Sequence, residues 1–289
     1  MCIYVGSVVQ NTDQNGNPTL DVVVDDTVNG TFDGFYGLGG NDDMTFIEGT
    51  IGLDTAPTTT TYMYGGEGND KLTFSTGTSG TLSGDAGNDS ISFNGSGIGT
   101  LFGGDGNDSI TGGAQKDIID AGRGEDVASG QAGNDVIEGR AGFDRLYGNQ
   151  GQDTIDGGGS VDWITGGGAK DLLTGGAGKD VFFYFSPSDS GNTSTTRDVI
   201  ADFNAGTATT AVDKINIGGI DAIQGGGHDL FTFVTGNFTA AGQVRVIQSG
   251  ANALVQLNTV GTGGAEVVIQ LNNVNAANMT AADFEFILI

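Results

Sequence analysis

From Gly103 to Phe183 the chain repeats itself every nine residues: GGDGNDSIT, GGAQKDIID, AGRGEDVAS, GQAGNDVIE, GRAGFDRLY, GNQGQDTID, GGGSVDWIT, GGGAKDLLT, GGAGKDVFF. The sixth place is always aspartate: Asp108, Asp117, Asp126, Asp135, Asp144, Asp153, Asp162, Asp171 and Asp180. The first two places are mostly glycine. The eighth is apolar: Ile110, Ile119, Ile137, Leu146, Ile155, Ile164, Leu173 and Phe182, with Ala128 the smallest. A period this short means stacked copies of one supersecondary unit, because a single copy cannot bury its apolar side chain alone.

Each unit predicts a six-residue turn followed by a three-residue strand. The turn needs glycine where φ is positive and where carbonyls crowd together. In the strand the eighth side chain points one way, and the seventh and ninth point the other. Two units then make one coil. Stacked coils, about 4.8 Å apart, give two parallel sheets with the eighth residues between them. The turns stack into two rows, one with Asp108, Asp126, Asp144, Asp162 and Asp180, the other with Asp117, Asp135, Asp153 and Asp171. Carboxylates at strand spacing repel unless a cation lies between them. Aspartate and bared carbonyls are hard oxygen donors and suit Ca²⁺. Zinc or copper would want imidazole or thiolate, and the chain offers only His228 and Cys2, both outside the repeat.

The stretch resembles the repeats-in-toxin (RTX) family, whose nonapeptide is GGxGxDxUx. The resemblance implies an all-β fold, a right-handed parallel β-roll, with a calcium ion between each turn and the turn one coil on. Carried onto this chain, it implies a site between 103–108 and 121–126 that uses Asp108 and Asp126, the carbonyls of Gly104 and Gly106, and those of Ala121 and Arg123. The implied metal-site positions begin with Asp42, then Gly65, Gly66, Gly68 and Asp70, and Gly84, Gly87 and Asp89. They continue through Gly103, Gly112, Gly113, Gly124, Gly130, Gly133, Gly139, Gly142, Gly148, Gly151, Gly157, Gly166 and Gly175, with the aspartates of their turns. Adjacent acidic turns allow up to about ten Ca²⁺ ions on the family's pairing. Three turns lack glycine at the fourth place and have Gln115, Ser160 and Ala169 instead.

Composition narrows the classes. Gly is 54 and Pro only 3 of 289 residues, which excludes collagen. The net charge of −26 could be no more than an acidic surface, but the acids sit in the turns at fixed phase. Without cations such a chain repels itself and stays open. With 10 Lys+Arg and no basic cluster, nucleic acid is not an expected partner. One cysteine, Cys2, excludes an internal disulfide framework. No apolar run is long enough for a membrane span. The start, MCIYVGSVVQNTDQ, is unlike a Sec-type signal peptide, so a secreted chain would leave by another route.

In chain order, residues 1–36 read as an N-terminal cap with β-like runs at Ile3–Val9 and Leu20–Val24. Residues 37–102 hold degenerate turns at 37–42, 65–70 and 84–89; Asp70, Asp89 and Asp108 are 19 apart. Only one side of this early roll carries acidic turns, since TGTSGTLS and NGSGIGTL lack aspartate. The TAPTTTT insert reads as a surface loop. Residues 103–183 are the regular roll, and 184–289 a C-terminal β cap. The cap resembles the segment after the repeats in serralysin-type secreted metalloproteases, in its SDS, D-V-I-x-D-F and D-K-I-x-I elements. The ending DFEFILI resembles the uncleaved signal read by a type I secretion apparatus, with Asp283 or Glu285 as the acid and Phe286–Ile289 as the apolar end.

Catalytic motifs are missing. There is one histidine and hence no HExxH, and neither G-x-S-x-G nor GK[ST] occurs. His228 and Trp163 read as structural, Trp163 as surface packing. Glu67, Ala86 and Asp105 at the third turn place argue against an ice-binding row of threonines. The reading is therefore a secreted or cell-surface calcium-binding RTX module, not an enzyme, whose calcium-gated folding supports type I secretion. The alternatives are a calcium-assembled surface-layer or matrix protein, and the non-catalytic C-terminal part of a longer enzyme. Seventh-place Ile118, Val136, Thr154 and Leu172 recur every 18 residues as a mostly apolar stripe. That stripe is expected to be covered by residues 184–289 or by a second molecule, or to reflect β-propensity alone.

Overall fold

A computed structural model describes residues 11–12, 18–19, 23–26, 32–37, 39–46, 61–75, 79–206, 212–223, 229–261 and 264–286. Cys2, the run Ile3–Val9, residues 55–60 of the insert, His228 and residues 287–289 lie outside them. The described residues fold as all-β, parallel-stranded coils. The only helical turns among them are Ala276–Asn278 and Ala281–Asp283. The chain divides into two compact units, Met1–Asp144 and Arg145–Ile289.

In the first unit, Thr61–Glu67, Gly80–Ala86, Gly99–Asp105, Ile118–Arg123 and Val136–Glu138 pair in parallel. The opposite sheet runs Asp43–Phe46, Lys71–Phe74, Ser90–Phe93, Ser109–Thr111 and Val127–Ala132. Register follows the repeat: Leu82 pairs with Leu101, Leu101 with Ile119, and Ile119 with Ile137. All these side chains are buried. Phe32–Tyr36 joins the roll in parallel, and Val23–Asp26 closes the edge antiparallel.

The early half-coils without aspartate are filled differently. Phe74 and Phe93 stack there at 4.8 Å between centroids. Glycines make room for the rings: a Cβ on Gly80 would stand 3.0 Å from the Phe74 ring, and one on Gly99 would stand 2.9 Å from Phe93. Buried aromatic area replaces the polar turn on this side.

In the second unit, Thr154–Gly159, Leu172–Ala177, Val199–Ile200 and Val267–Leu271 pair in parallel. Asn252–Asn258 and Gln243–Ser249 then extend the sheet antiparallel. The facing sheet runs Arg145–Gln150, Trp163–Gly168, Val181–Phe183, Lys214–Asn216 and Phe284–Glu285, all parallel. Ile200, Ile215, Leu271 and Phe284 are buried, and continue the eighth-place stack beyond the last nonapeptide.

Candidate metal centre

The turn aspartates form ladders. Each backbone N–H donates to Oδ1 of the aspartate one coil further on. In the first unit the bonds run Asp42 to Asp70, Asp70 to Asp89, Asp89 to Asp108 and Asp108 to Asp126, each 2.7 Å. Asp126 to Asp144 comes next at 2.9 Å, and the other row gives Asp117 to Asp135 at 2.7 Å. In the second unit Asp153 bonds Asp171 at 2.8 Å, and Asp162 bonds Asp180 at 2.9 Å. One oxygen of each accepting carboxylate is thus spent on holding the preceding turn in register.

The other oxygen is left over. Oδ2 of Asp70, Asp89, Asp108, Asp126, Asp171 and Asp180 is buried without a hydrogen-bond partner. For Asp70, Asp89 and Asp108 it lies against the Cα of the first residue in its own turn, beside the first-place carbonyl one coil on. A Cβ on Gly84 would run into Asp89 Oδ2 and stand 2.7 Å from the Gly103 carbonyl. On Gly65 it would meet Asp70 Oδ2 and the Gly84 carbonyl, and on Gly103 Asp108 Oδ2 and the Ala121 carbonyl. On Gly157 it would stand 2.6 Å from Asp162 Oδ2 and 2.7 Å from the Gly175 carbonyl. Gly148 stands likewise over Asp153 and the Gly166 carbonyl, while Gly130 and Gly175 stand over Asp135 and Asp180. The Gly104 and Gly106 carbonyls face the Cα atoms of Gly122 and Gly124, and the Arg123 carbonyl accepts the Gly106 N–H at 2.7 Å. The cradles under Gly65, Gly84 and Gly103 therefore each present an unpartnered carboxylate oxygen and a carbonyl oxygen to one point. That donor set fits a hard divalent cation.

Burial makes the charges costly. It pushes Asp89, Asp171 and Asp180 up to about 7, with neighbouring carboxylates adding to the rise. Burial also raises Asp108 and Asp126 to about 6, although the ladder N–H groups pull the other way. A cation beside them reverses this balance.

The turns differ in readiness. The fourth-place glycines from Gly68 to Gly151 are left-handed, from φ 130° at Gly68 to 143° at Gly87, whereas Gly178 is not. Ser160 and Ala169 hold the same kind of turn at φ 92° and 87° in spite of their Cβ. The Gln115 turn does not, since neither Gly113 nor Gln115 has positive φ. There Gly113 N–H donates to Asp117 Oδ2 at 2.5 Å and Gly99 N–H to Oδ1 at 2.6 Å. Asp117 thus has both oxygens engaged by backbone donors.

Sequence reasoning ended the two rows at Asp171 and Asp180, and this is corrected. Asp171 N–H donates to Asp198 Oδ1 at 2.9 Å, and Asp180 N–H to Asp213 Oδ1 at 3.1 Å. The loops before Asp198 and Asp213 break the period, but the triplets Asp198-Val199-Ile200 and Asp213-Lys214-Ile215 repeat the sixth, seventh and eighth places. That triplet was the available signal. Asp198 is buried beside the Tyr184 hydroxyl, and burial pushes its carboxyl up to about 9, with the neighbouring Asp171 adding to the rise. Asp213 is closed, because its Oδ2 accepts Asn204 N–H at 2.8 Å. Asp202 clamps the last nonapeptide, accepting Gly175 N–H at 2.9 Å and Gly176 N–H at 2.8 Å.

The fold and its stacked carboxylates define a cation-binding parallel β-roll. Five stretches, residues 62–80, 74–92, 93–128, 129–164 and 156–184, match the family model of the RTX calcium-binding nonapeptide repeat, which itself spans four copies. This stretch therefore carries RTX repeats, which bind calcium. Among solved structures, the chain is similar to the AlgE6R3 subunit of the Azotobacter vinelandii mannuronan C5-epimerase. The two are 22% identical over 63% of this chain and 79% of that one, with a TM-score of 0.34. The AlgE6R2 subunit of the same epimerase is 26% identical over 56% and 88%, with a TM-score of 0.30. The extracellular lipase LipA of Serratia marcescens is 15% identical over 84% of this chain and 42% of its own, with a TM-score of 0.23. No curated protein matches the chain.

Proposed function

We propose that this chain is a secreted or cell-surface calcium-binding module that folds where calcium is abundant and carries no catalytic site. The observation that supports it most is the buried, unpartnered Oδ2 repeated at Asp70, Asp89, Asp108, Asp126, Asp171 and Asp180. These oxygens, with the turn carbonyls beside them, would hold the ions. Calcium, when bound, supplies the positive charge that the buried carboxylates lack. Extracellular-type sites have Kd of about 10⁻⁴–10⁻³ M. At roughly 5 mM Ca²⁺ each would add on the order of 1–2 kcal/mol. Several coupled sites then rival the roughly 5–15 kcal/mol by which ordinary domains are stable, whereas sub-micromolar calcium adds almost nothing. A chain that stays open inside the cell and folds outside suits export by a type I apparatus, and the C-terminal residues are proposed as its signal. The test is far-UV circular dichroism with 5 mM calcium and with excess chelator. Loss of β-structure on chelation is expected. A spectrum unmoved by chelation would sink the reading.

A further inference from the structure

In the first unit, the turn row that leads into Asp117 is filled with side chains. Register sets Phe74 against Phe93 and Ser92 against Thr111, so Phe93 holds the first turn place that Gly112 takes one coil on. In the acid turns a glycine at that place makes room for a carboxylate oxygen. Here two fully buried rings take the space. A Cβ on Gly95 would run into the Phe93 ring, and one on Gly113 would stand 3.2 Å from it. We propose that the Phe74–Phe93 pair and Asp117 form a calcium-independent clasp, in which Asp117 is a structural acceptor and not a calcium ligand.

Backbone geometry sets Asp117 apart. Acid turns such as 103–108 put their second and fourth residues at positive φ, Gly104 at 113° and Gly106 at 131°. The 112–117 turn does so at neither place. Its Gly113 N–H instead donates to Asp117 Oδ2 at 2.5 Å, and Gly99 N–H, one coil back, donates to Oδ1 at 2.6 Å. Gly99 thereby stands in for the aspartate N–H that meets Oδ1 elsewhere, as that of Asp89 meets Asp108. Burial raises the Asp117 carboxyl, and these two N–H groups pull it back down. Hydrogen bonds from backbone donors thus do for this charge part of what a cation does for the others. A Cβ on Gly99 would stand 2.9 Å from both Asp117 Oδ1 and the Phe93 ring, so the plug and the carboxylate meet at this glycine.

The opposite turns of the same coils are not closed. Asp89 and Asp108 keep a buried Oδ2 without a partner. Each of these coils therefore has one side held by its own side chains and one side that needs a cation. Calcium would complete coils already joined through Lys71–Phe74, Ser90–Phe93 and Ser109–Thr111, whereas the coils of 145–175 carry acid turns on both sides. The clasp rests on the calcium-binding reading above and divides the chain by its need for the ion.

The experiment is hydrogen exchange by mass spectrometry on the full chain at pH 8, in excess chelator and in 5 mM calcium. Exchange reports local opening segment by segment. In chelator the amides of 90–99 and 109–117 should exchange at least 10-fold more slowly, relative to intrinsic rates, than those of 145–175. In calcium both regions should be protected. Asp117→Asn, which turns an amide donor onto a backbone N–H, should lose the protection of 90–117 in chelator. By native mass spectrometry it should still bind as many calcium ions as the parent, whereas Asp108→Asn should bind fewer. The proposal is overturned by equal exchange of the two regions in chelator, by an Asp117→Asn variant that keeps the protection, or by one that binds fewer ions. Failure of the calcium-binding reading would show separately, as a parent chain that binds no calcium.

Discussion

The N–H of Asp171 donates to Oδ1 of Asp198 at 2.9 Å across 27 residues, as Asp153 does to Asp171 at 2.8 Å across 18. The loop between Phe183 and Asp198 is therefore a bulge in the second unit's ladder, and Asp198 is a rung of it. Asp198→Ala should remove the acceptor of a buried donor, at about 1–3 kcal/mol. It should destabilise the calcium-loaded protein about as much as Asp126→Ala. Asp198→Asn keeps an acceptor oxygen and loses the charge. That variant should fold no worse without calcium but need more calcium to reach its midpoint. Calcium titrations followed by circular dichroism read both effects.

Protons should partly replace calcium. An unfolded aspartate titrates near about 3.9, whereas Asp89, Asp171 and Asp180 titrate at about 7 in the fold, and Asp108 and Asp126 at about 6. Between those values the folded chain binds more protons than the unfolded one, so its stability rises as pH falls. In calcium-stripped protein, β-structure should grow as pH is lowered from 8 towards 5. Calcium lowers the same pKa values, so loading at pH 6.5 should release protons, as a pH-stat would record. No change in dichroism between pH 8 and 5 would refute the coupling.

The regular roll was legible because one side chain in nine, always aspartate, fixes both coil length and strand register. The Asp42, Asp70 and Asp89 turns were legible for the same reason, despite 19- and 28-residue spacings. Asp198 and Asp213 were hidden by loops that destroy the period while preserving the Asp-x-Ile triplet. The leftover Oδ2 atoms and the doubly engaged Asp117 depend on which lone pair meets which N–H. No spacing encodes that.

Fourth-place substitutions should sort by backbone. Ser160 and Ala169 sit left-handed, which costs an L-residue about 1–2 kcal/mol, offset in part by glycine's greater freedom when unfolded. Ser160→Gly and Ala169→Gly should each stabilise the calcium-loaded roll by up to about 1 kcal/mol. Gly124→Ala should do the reverse and more, because its Cβ would enter the Gly106 carbonyl. Thermal melts in 5 mM calcium would check the order.

Ile118 and Leu172 of the apolar stripe are exposed, while Val136 is half-buried. Ile118 is 42% exposed and Leu172 43%, and the described residues of 184–289 leave Leu172 exposed. Ile118→Lys with Leu172→Lys should shift stability by no more than about 0.5 kcal/mol. Self-association through Ile118, Val136 and Leu172 remains a proposal with its own readout. It predicts a calcium-dependent rise in mass by light scattering in the parent and none in the double variant.

The C-terminal segment should carry export information, and its test must respect the fold. Phe284 is buried and pairs with Ile215, while Thr280 and Asp283 close a capping box. Deleting 280–289 would strip a strand from the second sheet and uncover Ile215. Lost export would then be confounded with lost folding. The cleaner experiment transfers residues 184–289 to the end of an unrelated passenger in a host with a type I exporter. The passenger is expected in the medium. Glu285→Lys, which lies on the strand but is only half-buried, should lower export without lowering the melting temperature of the parent roll. A passenger retained in the cell, beside full export of the parent chain, would place the signal elsewhere.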